Sequence, residues 1–475
     1  MRDLLTALPE ILLLSAACVV LLVEAIATDR YRALVYQLSQ ATLVIVAATL
    51  VGLFPEARTE AFAGMFVRDP VGGVVGVSIL VVGYFVFGYA REYLEARSIL
   101  RGEFYVLGLF AILGMMVLVA AGSLLTIYLG LELLSLSLYA MVALHRESEA
   151  ASEAAMKYFV LGAIASGMLL YGISMLYGAT GALDLRTVAL AAAGTEAPRV
   201  VLVFGLVFLV VGLGFKLGAV PFHMWIPDVY QGAPTAMTLF ISSAPKLAAF
   251  AMTFRLLAEA MPSLSSEWQQ MLIGLAVLSM AIGNVVAIAQ TNLKRMLAYS
   301  TIAHVGFILL GFIAARPGGY AAALFYTIVY ALMGMGAFGM IILLGRAGFE
   351  ADRLEDFRGL NERSPWSAFT MLVLMFSMAG VPPFLGFWAK WSVLAAVVGS
   401  GFVWLAVVAV GFAIIGAFYY LRVIRLMYFD KPEDLAPISA GQGMRVMVSV
   451  NALAILLIGL YPGPLLALCG AALGI

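Results

Sequence analysis

Long apolar runs follow one another down this chain, and they leave few folds open. About fourteen of them lie near residues 4–27, 34–54, 70–90, 104–121, 124–144, 152–178, 199–231, 236–258, 268–289, 293–314, 319–346, 366–400, 402–428 and 444–470. A helix of about 20 apolar residues crosses the ~30 Å hydrocarbon core of a bilayer. Only 11% of the residues are charged, against roughly 25% in a soluble domain. The expected fold is an all-α polytopic membrane protein, residues 1–475 forming one transmembrane domain.

Two runs are too long for one ordinary span. The twelfth, about 35 residues, would reach ~52 Å as one helix, and Pro382-Pro383 sits near its middle. The seventh contains FKLGAVPFHMWIPDVYQGAPT, Phe215 to Thr235, with Pro221, Pro227 and Pro234 beside Lys216, His223 and Asp228. Proline removes an amide donor and breaks a helix. In lipid, freed backbone is tolerated only where protein or a water-filled cavity covers it. Both runs are therefore expected to be broken helices. In the seventh the lysine precedes the proline; in the twelfth the prolines precede Lys390. Matching breaks five spans apart suggest inverted repeats.

Orientation follows from the basic residues of the links. Odd-numbered links carry 16 Lys and Arg, and the N-terminus with the even links carries 7. Odd links are thus expected in the cytoplasm and both termini outside. Arg255, Arg68 and Lys294 belong to this tally as link residues. The N-terminus lacks a basic n-region and a clear cleavage site, so the first run is read as a retained helix.

Four basic residues remain inside the runs: Lys157, Lys216, Lys246 and Lys390. Lysine can shed its proton when desolvated, whereas arginine stays charged. Glu132, in LGLELLSLSLYAM, is the carboxylate expected to partner Lys216; its plainer reading is a structural group bonded through Ser135 or Tyr139. Lys246 follows Pro245 with no carboxylate in its own span. Lys390 lies past the twelfth-span break. Lys157 is near a span end and could snorkel to the surface. His304, one turn after Ser300 and Thr301, is either a bridge between lysines or a hydrogen-bonded core residue. His223 and Asp228 could serve only the freed backbone, and His145 reads as structural. An ionisable residue inside a span is a functional candidate by default, here for moving protons.

Other chemistries are poorly supported. Cys18 and Cys469 lie far apart in the first and last runs, and no metal-ligand spacing occurs. No phosphate loop or dinucleotide fingerprint appears. Zero formal net charge implies no nucleic-acid partner.

The segments LGLELLSLSLYAMVAL, KYFVLGAIASGMLLYG, GFKLGAVPFHMWIPDVYQGAPT, NLKRMLAYSTIAHVGF and GVPPFLGFWAKW resemble the antiporter-like subunits of proton-translocating NADH:quinone oxidoreductase, respiratory complex I. The resemblance covers spans four to thirteen. Within that family, the PDVYQGAPT form, a lysine at position 390, and an end after the fourteenth span are most similar to the bacterial subunit N branch. The resemblance implies fourteen helices, with an N-terminal three-helix unit (1–103), inverted five-helix repeats (104–258 and 268–428) and a last helix (444–475). It implies a proton relay of Glu132, Lys216, Lys246 and Lys390, with Lys157 and His304 at further polar positions. It also implies a non-redox subunit, with NADH, FMN, iron–sulfur clusters and quinone held by other subunits. The implied neighbours are subunit M and the small membrane subunits, in a bacterial cytoplasmic membrane with both termini periplasmic. Three rival readings are a multisubunit sodium/proton antiporter component, a structural scaffold and a quinone-binding catalytic subunit.

Overall fold

The structure is a computed structural model that describes residues 2–26, 32–97, 102–432, 436 and 438–475; Arg30 and Arg101 of the charge tally lie outside them. The first three spans are α1 (Arg2–Thr6) with α2 (Leu8–Ile26), then α3 (Arg32–Gly52) and α4 (Pro70–Ala96). A hairpin of β1 (Thr59–Ala61) and β2 (Phe66–Arg68) sits between α3 and α4, with Thr59 opposite Arg68 and Ala61 opposite Phe66. Next come α5 (Glu103–Val119), α6 (Leu124–Val142) and α7 (Glu149–Thr180), the short α8 (Leu185–Ala193), and the seventh span as α9 (Arg199–Leu217) and α10 (Trp225–Gly232). The eighth span is α11 (Thr235–Ser242), α12 (Ala244–Thr253) and a π-helical stretch, Phe254–Glu259. Then follow α13 (Ser265–Ile288), α14 (Leu293–Ile313) and α15 (Pro317–Leu344), and the short α16 (Leu360–Arg363). The twelfth span is α17 (Pro365–Ala379) with α18 (Leu385–Val398), and the chain ends with α19 (Val403–Phe429), α20 (Gln442–Leu460) and α21 (Gly463–Ala472).

Among the described residues, 12 helices are long and apolar enough to cross a membrane. The 17-residue α5 and the α17–α18 pair complete fourteen spans. Helices satisfy their own backbone groups, which lipid cannot do. The eighth span is wholly buried and the tenth and eleventh nearly so, whereas two-thirds of α7 and of α19 lies at the surface. The centre of the molecule is therefore the eighth, tenth and eleventh spans, and the broken seventh and twelfth pack around it.

The first two helices of each five-span unit pack through glycine. A Cβ on Gly114 would lie 2.5 Å from the Leu134 nitrogen, and one on Gly130 2.6 Å from that of Leu118. A Cβ on Gly283 would lie 2.6 Å from the Ala303 nitrogen, and one on Gly306 2.7 Å from Met280 Cγ. Small residues let membrane helices approach closely where lipid offers no hydrophobic drive between them.

Two expectations need correction. The eighth run, 236–258, is not one of the two expected to break, yet it breaks at Ser243, just before Pro245, and loosens into a π-helix at its far end. Arg68, Arg255 and Lys294 were counted among link residues, yet all three are buried. Each has found polar partners that release it from water. Arg68 pairs with Glu10 at 2.5 Å. Arg255 grips Asp69 with two nitrogens at 2.5 and 2.9 Å, meets Glu259 at 2.6 Å and donates to the Val119 carbonyl. Asp69 also caps α4 through the Gly72 amide. This knot joins the three-helix unit to the far end of the eighth span. Removing one partner of a buried pair costs about 3–5 kcal/mol. Asp69→Ala is therefore expected to lower the amount of assembled protein in membranes sharply and Asp69→Asn less so; native gel electrophoresis of solubilised membranes measures both.

Candidate functional site

The two predicted breaks are built alike. α9 stops at Gly218 (φ +86°) and α17 at Gly380 (φ +84°), the left-handed region that glycine enters without strain. The Ala219 amide reaches back to the Gly214 carbonyl, and Val381 does the same to Phe376, the Schellman closure of a helix end. Each is followed by a cis peptide, Val220–Pro221 and Pro382–Pro383. The sequence GAVP at one break and GVPP at the other thus encodes one local structure twice.

A helix that stops inside a membrane leaves carbonyls unpaired. At the first break Trp225 Nε1 donates to the Phe215 carbonyl at 3.0 Å, and Lys246 Nζ donates to that of Leu217 at 2.7 Å. At the second, Lys390 Nζ donates to Met378 and Ala379 at 3.1 and 2.7 Å. Both lysines therefore sit at the carbonyl end of a half-helix, where the macrodipole favours a cation. Each also meets an aromatic ring: Lys246 lies 5.5 Å from Trp225 and Lys390 5.3 Å from Phe307. The break at Ser243 starts α12 one turn before Lys246, which turns its side chain toward the end of α9.

The structure holds Glu132 and Lys216 apart. Glu132 accepts a hydrogen bond from Ser166, and Lys216 Nζ donates to Ser135 Oγ at 3.0 Å. Ser135 is one turn from Glu132 on α6, so acid and base share a neighbourhood, but no ion pair within 4.0 Å joins them among the described residues. The serine rather than the expected glutamate holds the lysine.

His304 is buried on α14. Its Nδ1 lies 2.7 Å from the Tyr326 hydroxyl and its Nε2 3.1 Å from that of Tyr420, which also bonds Ser300. Next to it the Tyr330 hydroxyl donates to Thr301 at 2.6 Å. Sequence reasoning found Ser300, Thr301 and His304 but not these tyrosines, which lie on other spans and carry no local mark. Lys157 is not brought into this set. Its side chain is 42% exposed and pairs with Glu153 at 2.7 Å and Asp228 at 2.8 Å, while Arg295 holds the other Asp228 oxygen at 2.9 Å. His223 is half-buried beside the first break.

One cavity of about 500 Å³ is lined by Tyr93 and Arg97, His145, Gln231 to Pro234, Lys294, Gly348 to Glu350, and Asp352. These residues come from the third, fifth, seventh, ninth and eleventh links, so odd links do share a face. Lys294 Nζ donates to the Ala233 carbonyl at 2.6 Å. Glu350 accepts from Arg97 Nε at 2.9 Å, from Thr235 Oγ1 at 2.8 Å and from Tyr93. Burial pushes the Glu350 carboxyl up, but Lys294, Arg97 and the two hydroxyls outweigh it and hold it below its ordinary 4.5. A depressed carboxylate stabilises the fold above its unfolded value, and that contribution is lost as pH falls through the folded one. The gap in thermal midpoint between wild type and Glu350→Gln is therefore expected to be full at neutral pH and to close below about pH 4.5.

Fourteen spans with two half-helix breaks, each answered by a lysine amine, make this an antiporter-type membrane subunit. The family described as NADH:quinone oxidoreductase/Mrp antiporter, transmembrane, matches residues 121–416. NADH-quinone oxidoreductase subunit N of Thiobacillus denitrificans is 58% identical over 98% of this chain and 97% of its own. A chain of respiratory complex I from Thermus thermophilus is 33% identical, with a TM-score of 0.83 over 97% of this chain and 98% of that one. A chain of the Mrp complex from Dietzia sp., 21% identical with a TM-score of 0.87 over 99% of this chain and 96% of that one, shares the fold. The chain belongs to the NADH-quinone oxidoreductase subunit N family.

A Cβ at Gly380 would lie 2.8 Å from Lys390 Cδ, whereas one at Gly401 (φ +89°) meets nothing within 4 Å. Both substitutions strain the backbone by about 1–3 kcal/mol. Gly380→Ala alone is expected to lower coupled NADH oxidation in membranes severalfold at normal assembly. Gly401→Ala should match wild type in the same assay.

Proposed function

We propose that this chain carries protons across the membrane for NADH:quinone oxidoreductase, along a path from Glu132 and Lys216 through Lys246 and His304 to Lys390. The observation that carries the reading is the answer to each helix break by one lysine amine. An amine there can give up its proton and still be held by position, which a guanidinium cannot do at ordinary pH. Residues 104–258 and 268–428 act as the two repeats. In the first, Glu132 biases Lys216: the pair closed keeps the lysine charged, and the pair open, as Ser135 and Ser166 hold it, favours passing the proton toward Lys246. In the second, Lys390 exchanges with the far aqueous side. Lys157 acts at the rim, as the expected polar position nearest the odd-link face.

The chain's own part is non-redox. NADH, FMN, iron–sulfur clusters and quinone belong to other subunits, and quinone reduction there drives the change at the Glu132–Lys216 pair. Its neighbours are subunit M and the small membrane subunits. The setting is the bacterial cytoplasmic membrane, with odd links and the cavity of Lys294 and Glu350 on the cytoplasmic side and both termini periplasmic. With the buried Lys294, Arg68 and Arg255 set aside, the 15-to-5 division of the remaining link residues supports that orientation. A sodium-exchanging role draws on fold likeness alone.

Lys216→Ala in the assembled complex tests the relay, using inverted vesicles with NADH as donor. The expected outcome is loss of proton pumping and of coupled quinone reduction, with the peripheral dehydrogenase activity intact. Unchanged pumping per electron would remove Lys216 from the path and favour a scaffold role for the buried charges.

A further inference from the structure

Between His304 and Lys390 the hydrogen-bonded groups stop. Tyr420, itself bonded to Ser300, bonds one side of the imidazole, and Tyr326 bonds the other at 2.7 Å. Lys390 Nζ bonds the carbonyls of Met378 and Ala379, neither of which can take a proton from it. What touches both sets is the ring of Phe307. It lies on α14 one turn after His304, is 2% exposed, and its centroid is 5.3 Å from Lys390 Nζ. The same ring stacks on Tyr326, with centroids 6.1 Å apart and planes within 7°. A benzene ring has no exchangeable proton and excludes water from the volume it fills. Its face also attracts an ammonium, so the ring favours the charged lysine while offering it no route onward.

We propose that Phe307 is an aromatic gate that decides when His304 and Lys390 exchange a proton. This rests on the relay reading above and adds to it a residue that is itself neither acid nor base. With the ring in place the two groups are separate. When the ring turns aside, a water molecule fits between them and relays the transfer. The Nδ1–H bond of the imidazolium breaks and its proton passes to the Tyr326 hydroxyl, whose own proton goes to the water; the water gives one of its protons to the neutral amine, and an N–H bond forms on Lys390. Charge moves from histidine to lysine and no other reactant is required. Trp225 stands beside Lys246 in a similar place, but its N–H is engaged by the Phe215 carbonyl, so the second repeat has the purely apolar barrier. A gate of this kind prevents back-flow from the far side while Lys390 is loaded, and its positioning role predicts leak rather than simple loss of activity.

The experiment uses the assembled complex in inverted vesicles and reads two quantities. One is protons pumped per electron with NADH. The other is the decay of an imposed pH gradient without NADH. Phe307→Ala is expected to speed that decay at least severalfold and to lower pumping per electron while NADH oxidation continues. Adding Lys390→Met should return the decay to the wild-type rate, because the leak runs through that amine. Phe307→Trp, which fills more space, should slow coupled oxidation with no leak, and it decides the matter if the alanine variant does not assemble. Wild-type decay and wild-type pumping per electron in assembled Phe307→Ala, or a wild-type rate of coupled oxidation in assembled Phe307→Trp, would overturn the gate. If Lys390→Met alone pumps normally, the relay reading itself fails; if Lys390→Met abolishes pumping while Phe307→Ala behaves as wild type, only the gate is lost.

Discussion

A carbonyl freed inside a membrane must be answered by some other group, and this structure depends on how two breaks meet that demand. Water is absent from lipid, and each unsatisfied polar group there costs several kcal/mol. Here the side chains that answer are Lys246 at Leu217 and Lys390 at Met378 and Ala379. The arrangement ties fold to function. The carbonyl end of a half-helix favours a cation, and each lysine amine is fixed in position by the carbonyls it meets.

The second design element is separation. Glu132 and Lys216 rest on two different serines rather than on each other. Tyr326 and Tyr420 bracket His304, yet the bonded set ends before Lys390. A path in which every donor already touched the next acceptor would conduct at all times. In the proposed path, the interruptions are where coupling to a distant reaction would act. Rigid walls make small movements there decisive, and the glycine-packed pairs α5–α6 and α13–α14 provide them.

Charge outside the relay does structural work. Arg255, Arg68 and the Lys294–Glu350 cluster each bury a cation with acidic or carbonyl partners distant in sequence. These contacts bind the three-helix unit and the odd-link face to the central spans. In the sequence they look like ordinary link residues, because basic side chains near span ends usually reach water.

The fourteen spans, the broken seventh and twelfth helices marked by Pro221 and Pro382-Pro383, and the lysines beside them were legible from residue order alone. Span length, proline and charge in lipid act within a few residues of one another, so no folding knowledge is needed to read them. Only the tertiary structure decided which carbonyl each lysine meets, that Ser135 and not Glu132 holds Lys216, that Lys157 faces outward, and that tyrosines from the eleventh and thirteenth spans enclose His304. It also decided the break at Ser243, which Pro245 marks but whose effect depends on where the end of α9 lies. Those facts join residues tens to hundreds of positions apart. Their partners are chosen by how helices rotate against each other, and apolar periodicity says little about rotation in helices that are apolar on every side.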